Sequence, residues 1–209
     1  MEQACIVGNL ITGEYSLLAA SFYRRPTGTV ARKLLGKYLI RFLDGAVLVG
    51  KIVEAEGYYH HDDPACHAFR GMTKRNEVMF GHSGHAYVYF TYGNHYLLNV
   101  VTNKVGRGEA VLIRALEPIE GLDIMRKRRG RERELDLTTG PGKLTEALAI
   151  DLSLNGIDLR SSELVIAGKE RQQNFTVGRS ARIGISDGKD LLERYYIAGN
   201  RYVSVPPRD

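Results

Sequence analysis

Apolar and polar residues alternate with period two over residues 51–59, the spacing of a β-strand whose successive side chains take opposite faces. Ile52, Glu54, Glu56 and Tyr58 then share one side, and Val53, Ala55 and Gly57 the other. The small apolar set suits a packed face, so the opposite face is expected to be wetter and to carry two carboxylates beside an aromatic ring. Taken alone, that pattern also describes an ordinary solvated strand face. Residues 85–92 and 95–103 alternate or run apolar on either side of Gly93-Asn94, which predicts a β-hairpin with a tight turn. Another hairpin is predicted from a strand over 38–43, the turn Asp44-Gly45 and the strand that starts at Ala46.

Elsewhere the pattern is coarser. Thr29 is placed to cap a short helix over 30–35. Residues 108–116 read as a strand in which Arg114 shares a face with Ala110 and Leu112. A charge inside an apolar run invites a carboxylate or phosphate partner, although an arginine at a strand edge gives the same pattern. Glu117-Pro118 is the expected start of a helix through Met125 that ends in the basic run 126–133, where the helix dipole favours cations. A helix over 144–150 and strands over 163–167, 175–185 and 194–205 complete the reading. Strands dominate and no regular βαβ alternation occurs, which predicts an α+β fold with a mainly antiparallel sheet.

Bulk properties narrow this. A length of 209 residues fits one medium-sized domain, expected over 21–209 with residues 1–20 as an unpatterned lead-in. The net charge of +5 gives modest support to a polyanionic partner. Cys5 and Cys66 lie far apart without a CxxC, which argues against a disulfide framework or zinc ribbon. No stretch approaches the ~20 apolar residues of a membrane span, and no secretory signal pattern opens the chain. An intracellular protein is expected, cytoplasmic and nucleoid-associated if bacterial.

Candidate chemistry gathers in the loop 60–82 and the hairpin after it. The run HHDDPACH, from His60 to His67, holds residues that ligate zinc or iron. Adjacent residues seldom bind one ion together, however, and neither HExxH nor the deaminase pattern is present. There is no GxSxG for serine chemistry, and the GPGK at 140–143 lacks the spacing of a phosphate loop. Tyr92 stands at the hairpin tip with nothing beyond it to pack against, either an exposed ring or a wedge of the kind that opens base steps. A carboxylate acting beside a flat base is the chemistry that remains.

At this point a resemblance enters. VEAEGYY, CHAFRG, KRNEVMF, the hairpin AYVYFTYGNHYLLNV, AVLIRALEP, GPGKLTEALAI and RYVSV occur in this order from about residue 16 to 206. Each piece is short, but together in order they resemble the alkyladenine (methylpurine, 3-methyladenine) DNA glycosylases. The resemblance implies one domain with a curved, mainly antiparallel sheet, flanking helices and a protruding β-hairpin that inserts into DNA. It implies a monofunctional glycosylase that flips alkylated or deaminated purines out of duplex DNA and hydrolyses the N-glycosidic bond without metal or organic cofactor. Glu56 matches the water-activating base, with Glu54 as support or solvent-facing. Arg114 matches the arginine that helps hold the water and the flipped nucleotide's phosphate. Tyr58, His67 and Tyr89 match the residues that sandwich the base, Asn99 the one that disfavours guanine, and the Ala65 amide a donor to the purine edge. Tyr92 matches the tyrosine that fills the vacated stack. The chain departs from the family pattern in a stretch after Phe69 that is one residue shorter, and in Asn94 at the tip.

The expected partner is double-stranded DNA with a damaged purine, bound by a monomer, with no membrane involved. Two other readings stand beside it. A minor-groove DNA-binding protein without catalysis would keep the tyrosine wedge, and a metal-dependent hydrolase would use the His60–His67 loop.

Overall fold

The computed structural model describes residues 14–91, 93–169 and 174–205. Its organising strand is β3 (Ala46–Tyr58), joined to β2 (Tyr38–Leu43) by the predicted turn. Asp44 and Gly45 both take positive φ, 49° and 79°, the two-residue geometry whose twist matches the flanking strands. β1 (Ser16–Leu17), β4 (Ala86–Thr91), β5 (His95–Val101), β6 (Ala110–Glu120), β7 (Leu164–Gly168), β8 (Val177–Ser180) and β9 (Arg194–Ile197) complete the sheet. The strand order is β1-β7-β2-β3-β6-β5-β4, with β9 and β8 branching from β3, and the described pairs are antiparallel. One edge of β3 thus changes partner, from β2 to β9, while β6 follows the other. The sheet curls around that change.

The helices are short: α1 (Ala20–Tyr23), α2 (Thr27–Leu34), α3 (Leu122–Arg129), α4 (Leu135–Thr138) and α5 (Pro141–Ala147). Val30, Ala31 and Leu34 of α2 and Leu144 and Ala147 of α5 pack with Leu48, Ile52, Val53 and Ala55 of β3 in the main core. A smaller cluster of Cys66, Ala68, Met79, Phe80 and Tyr87 lies under the 60–82 loop. Among the described residues, no helix is long and apolar enough to cross a membrane.

The structure corrects the element pattern in several places. Ile52 does not share the carboxylate face. The β3–β6 register shifts between Ile52 and Glu54, so Ile52 and Val53 both pack in the main core. A bulge of this kind resets the two-residue alternation. No helix starts at Glu117-Pro118 either, because β6 continues to Glu120 and α3 begins after Gly121, at φ 78°. Pro118 is tolerated because it faces Gly50 at another register shift, where a missing N–H breaks no regular ladder. The helix expected over 30–35 is α2, which starts at Thr27 after Pro26 with no side-chain cap. Thr29 lies inside it, and Thr27 bonds instead to Glu109, at 2.6 Å. The strand expected over 175–185 is only Val177–Ser180, followed by an irregular strap with Gly184 and Gly188 at positive φ.

Candidate active site

Beyond the bulge, Glu54, Glu56 and Tyr58 do share a face of β3, but that face is dry. Both carboxylates have no solvent exposure, because β6 and β9 flank them and carry the compensating charge. Arg114 of β6 donates through Nε to Glu54, at 3.1 Å, and through Nη1 to Glu56, also at 3.1 Å. Arg194 of β9 donates to Glu54 at 2.7 Å. The main-chain N–H and the hydroxyl of Ser204 add two more bonds to Glu54, at 2.6 and 3.0 Å.

The alternation could not separate the two carboxylates; their partners do. Glu54 accepts four hydrogen bonds, which leaves it saturated as a support. Glu56 accepts three: from the Ile183 amide at 2.8 Å on Oε1, and from the Tyr58 hydroxyl at 2.9 Å and Arg114 on Oε2. Burial pushes the Glu56 carboxyl up from the ordinary carboxylate range, against the opposing pull of Arg114, the Ile183 amide and Tyr58. Burial works against the charge of Arg114 as well, yet its two carboxylate partners hold its pKa above the usual arginine value. Neither carboxylate lines the cavity beside them, where Asp187 of the strap is a lining carboxylate. The three donors to Glu56, from Tyr58, Arg114 and Ile183, all belong to lining residues, whereas of the donors to Glu54 only Arg114 does.

That cavity measures about 430 Å³ and is lined by Tyr58, Ala65, His67, Tyr89, Asn99 and Arg114, with the 183–187 strap on one side. β4 presents Tyr87 and Tyr89 on one face, their rings stacked with centroids 5.4 Å apart. His67 meets Tyr89 edge-on at 4.5 Å, and its Nδ1 lies 2.9 Å from the Tyr87 hydroxyl. Burial lowers the His67 pKa, helped by Arg75, so the ring is neutral near pH 7. Arg75 lies over the Tyr89 ring at 5.6 Å. Asn99 is buried on β5 and donates to the Tyr87 carbonyl at 3.2 Å.

Tyr58, Ala65, His67, Tyr89, Asn99 and Arg114 are thus brought to one cavity, and Glu56 lies behind Tyr58 and Arg114. The Ala65 amide donates to Asp63 Oδ1 at 3.2 Å. Tyr92 lies outside the described residues. The β4–β5 pairing is described up to Thr91 opposite His95. In the HHDDPACH loop, His60 and His61 stack on each other, Asp63 is held by Arg182 and His67 faces the tyrosines. Among the described residues no three His, Cys, Asp or Glu side chains are grouped to hold a metal ion. The basic run is partly tied down, Arg126 to Asp123 and Arg129 to Glu146.

Sequence reasoning missed Arg182, Asp63 as its partner, Arg194 and Ser204. The signal that singled out Arg114, a charge within an apolar stretch, also marks Arg182 in ARIGI and Arg194 before Tyr195-Tyr196.

Comparison with known proteins places this arrangement. Residues 21–201 match the methylpurine-DNA glycosylase family. A protein of Carboxydothermus hydrogenoformans, provisionally named 3-methyladenine DNA glycosylase, is 56% identical over 90% of this chain and 98% of its own. Proteins under the same provisional name from Methanoculleus marisnigri and Francisella tularensis are 50% and 47% identical, covering 90% and 87% of this chain and 98% and 95% of theirs. With the match running through strand β3, the hairpin and the strap, the chain belongs to the methylpurine-DNA glycosylase family.

Proposed function

We propose that the protein is a DNA glycosylase that binds an alkylated or deaminated purine flipped out of duplex DNA and hydrolyses its N-glycosidic bond. The observation that carries this reading is the position of Glu56, a buried carboxylate whose three donors, from Tyr58, Arg114 and Ile183, all belong to residues lining an aromatic-walled cavity wide enough for a base. Tyr58, His67 and Tyr89 offer the faces and edges that hold a flat ring. Stacking of about 1–3 kcal/mol per base offsets part of the few kcal/mol that extrusion costs.

In the reaction a water adds to C1′ as the C1′–N bond breaks, and the proton of the water passes to Glu56. The products are an abasic site and the free base. A negative carboxylate also stabilises the oxocarbenium-like sugar as positive charge develops. A purine methylated at N3 or N7 is cationic and leaves as a neutral base, so it needs no acid. Hypoxanthine leaves with negative charge on the ring, and this reading assigns its stabilisation to the 65–67 segment, where the Ala65 amide must turn from Asp63 to reach the base. Arg114 favours the ionised form of Glu56 against the effect of burial and reaches the cavity wall, where it supports the water and the nucleotide's phosphate. Asn99 narrows the cavity against the exocyclic amine of guanine. Tyr92, which lies outside the described residues, is the residue this reading assigns to the vacated stack.

The test is single-turnover excision from a duplex with one hypoxanthine, ethenoadenine or methylated purine, with EDTA present. Glu56→Gln is run beside wild type. Abasic sites from wild type and loss of release in Glu56→Gln, with duplex binding retained, support the reading. Tight, salt-sensitive binding without release on every substrate favours a non-catalytic DNA-binding protein.

A further inference from the structure

Arg182 and Asp63 form an ion pair in which neither side chain meets solvent. It is bidentate, Nη1 donating to Oδ2 and Nη2 to Oδ1, both at 2.6 Å. The same guanidinium donates to the Gly57 carbonyl at 3.0 Å and lies over the Tyr58 ring at 4.6 Å. Through Nη2 it also reaches the Gly188 carbonyl at 3.4 Å, which closes the strap upon itself. Asp63 in turn accepts from the amides of Tyr59, at 3.0 Å, and Ala65, at 3.2 Å. Arg182 Nε is buried without a partner, so the bonds made by Nη1 and Nη2 alone offset the cost of taking the two charges out of water.

The neighbours of this pair set it apart from an ion pair that merely holds the fold. One residue beyond Arg182, the Ile183 amide donates to Glu56. Two residues beyond Asp63, Ala65 lines the cavity, and His67 follows it. We propose that the Arg182–Asp63 pair is a positioning clamp for the glycosidic step, holding the 182–188 strap and the 59–67 loop in one register. The amide that supports Glu56 and the wall that receives the base are then set by a single contact. Both are positioning residues, which reach the reaction through Ile183 and Ala65. The inference rests on the reading of Glu56 as the base.

The clamp has a signature of its own. If the strap slips, Glu56 loses a donor that favours its charged form. It is then faced by Arg114 from β6 and by Tyr58 and Glu54 from β3, while Arg194 of β9 stays engaged by Glu54. The acid limb of the pH–rate profile therefore moves to higher pH.

Arg182→Lys keeps the charge and loses the fork. The experiment measures its single-turnover excision from a hypoxanthine duplex across pH at saturating enzyme, its thermal unfolding, and its affinity for a duplex bearing a tetrahydrofuran abasic-site analogue. The expected result is a cooperative unfolding transition, excision slower by about 10- to 100-fold, an acid limb at higher pH, and affinity within about threefold of wild type. A folded Arg182→Lys with the wild-type rate overturns the clamp. So does a slower rate with an unmoved acid limb, which general loosening would produce. If Arg182→Lys does not fold, the pair Asp63→Asn with Arg182→Gln, which leaves no buried charge unpaired, is read by the same criteria. Failure of the underlying reading looks different: wild type releases no base, or Glu56→Gln releases it as fast as wild type.

Discussion

Glu54 and Glu56 lie two residues apart on one face of β3, equally buried and bridged by Arg114, yet their surroundings are not equivalent. Glu54 has four donors, of which only Arg114 belongs to the cavity wall, whereas Glu56 has three, from Tyr58, Arg114 and Ile183, all of which do. Replacing each by its amide should therefore fail in different ways. Glu56→Gln is expected to melt near wild type and to lose about 10²- to 10⁴-fold in excision rate. Glu54→Gln leaves Arg114 and Arg194 without their shared anion and is expected to lose about 3–5 kcal/mol of stability. Thermal or urea unfolding beside single-turnover kinetics separates the two. A Glu54→Gln protein as stable as wild type would contradict the support role.

The pH dependence follows from the sign of the Glu56 shift. Its carboxyl is raised by burial, and only the ionised form can take a proton from water. Activity is therefore present above the folded-state pKa and is lost as pH falls through it. The acid limb on a hypoxanthine duplex should involve one proton and lie above about 4.3, the value of a free glutamate. It should vanish in Glu56→Gln. An acid limb at or below the free-glutamate value would show that another group is titrating.

Asn99 is held in place by its bond to the Tyr87 carbonyl. On the proposed reading, shortening it to Ser or Ala opens the cavity where a guanine amine would sit. The expected outcome is measurable release of undamaged guanine or faster release of 7-methylguanine, with hypoxanthine release altered less. Competition between the lesions in one reaction reads this as a ratio.

Cys66 is buried, its Sγ near the Gly108 carbonyl at 3.6 Å, and burial pushes its thiol up to about 12. Since the thiolate is the reactive form, Cys66 in a Cys5→Ser background should resist a thiol reagent at pH 8 until the protein unfolds. Prompt labelling of the native protein would contradict the packing of the 60–82 loop.

The local features of the fold were legible. Asp44-Gly45 needed only its own chemistry to specify a turn, and the alternation ending in Glu56 and Tyr58 needed only a period of two. What failed depended on partners distant in sequence. Ile52 was assigned to the wrong face because the bulge that resets β3 is a property of its pairing with β6. The carboxylate face was expected to be wet because the residues that cover it, Arg114, Arg194 and Ser204, lie 60, 140 and 150 positions further on. Pro118 read as a helix start because Pro and Glu do favour that position, and only the β3–β6 register overrides it. The difference between the two carboxylates on which the proposed assignment rests likewise comes from strands and a strap, not from spacing.

Those same separations have a consequence for biogenesis. During synthesis the ribosome makes Glu54 long before it makes the side chains that neutralise it, and contacts this remote carry a large loop-closure cost. A growing or prematurely terminated chain that has β3 and the tyrosine hairpin but lacks Arg194 and Ser204 has an unassembled floor. Fragments of this protein should therefore be inert toward DNA, and competence to cut should arrive in one step, as the last strands seat.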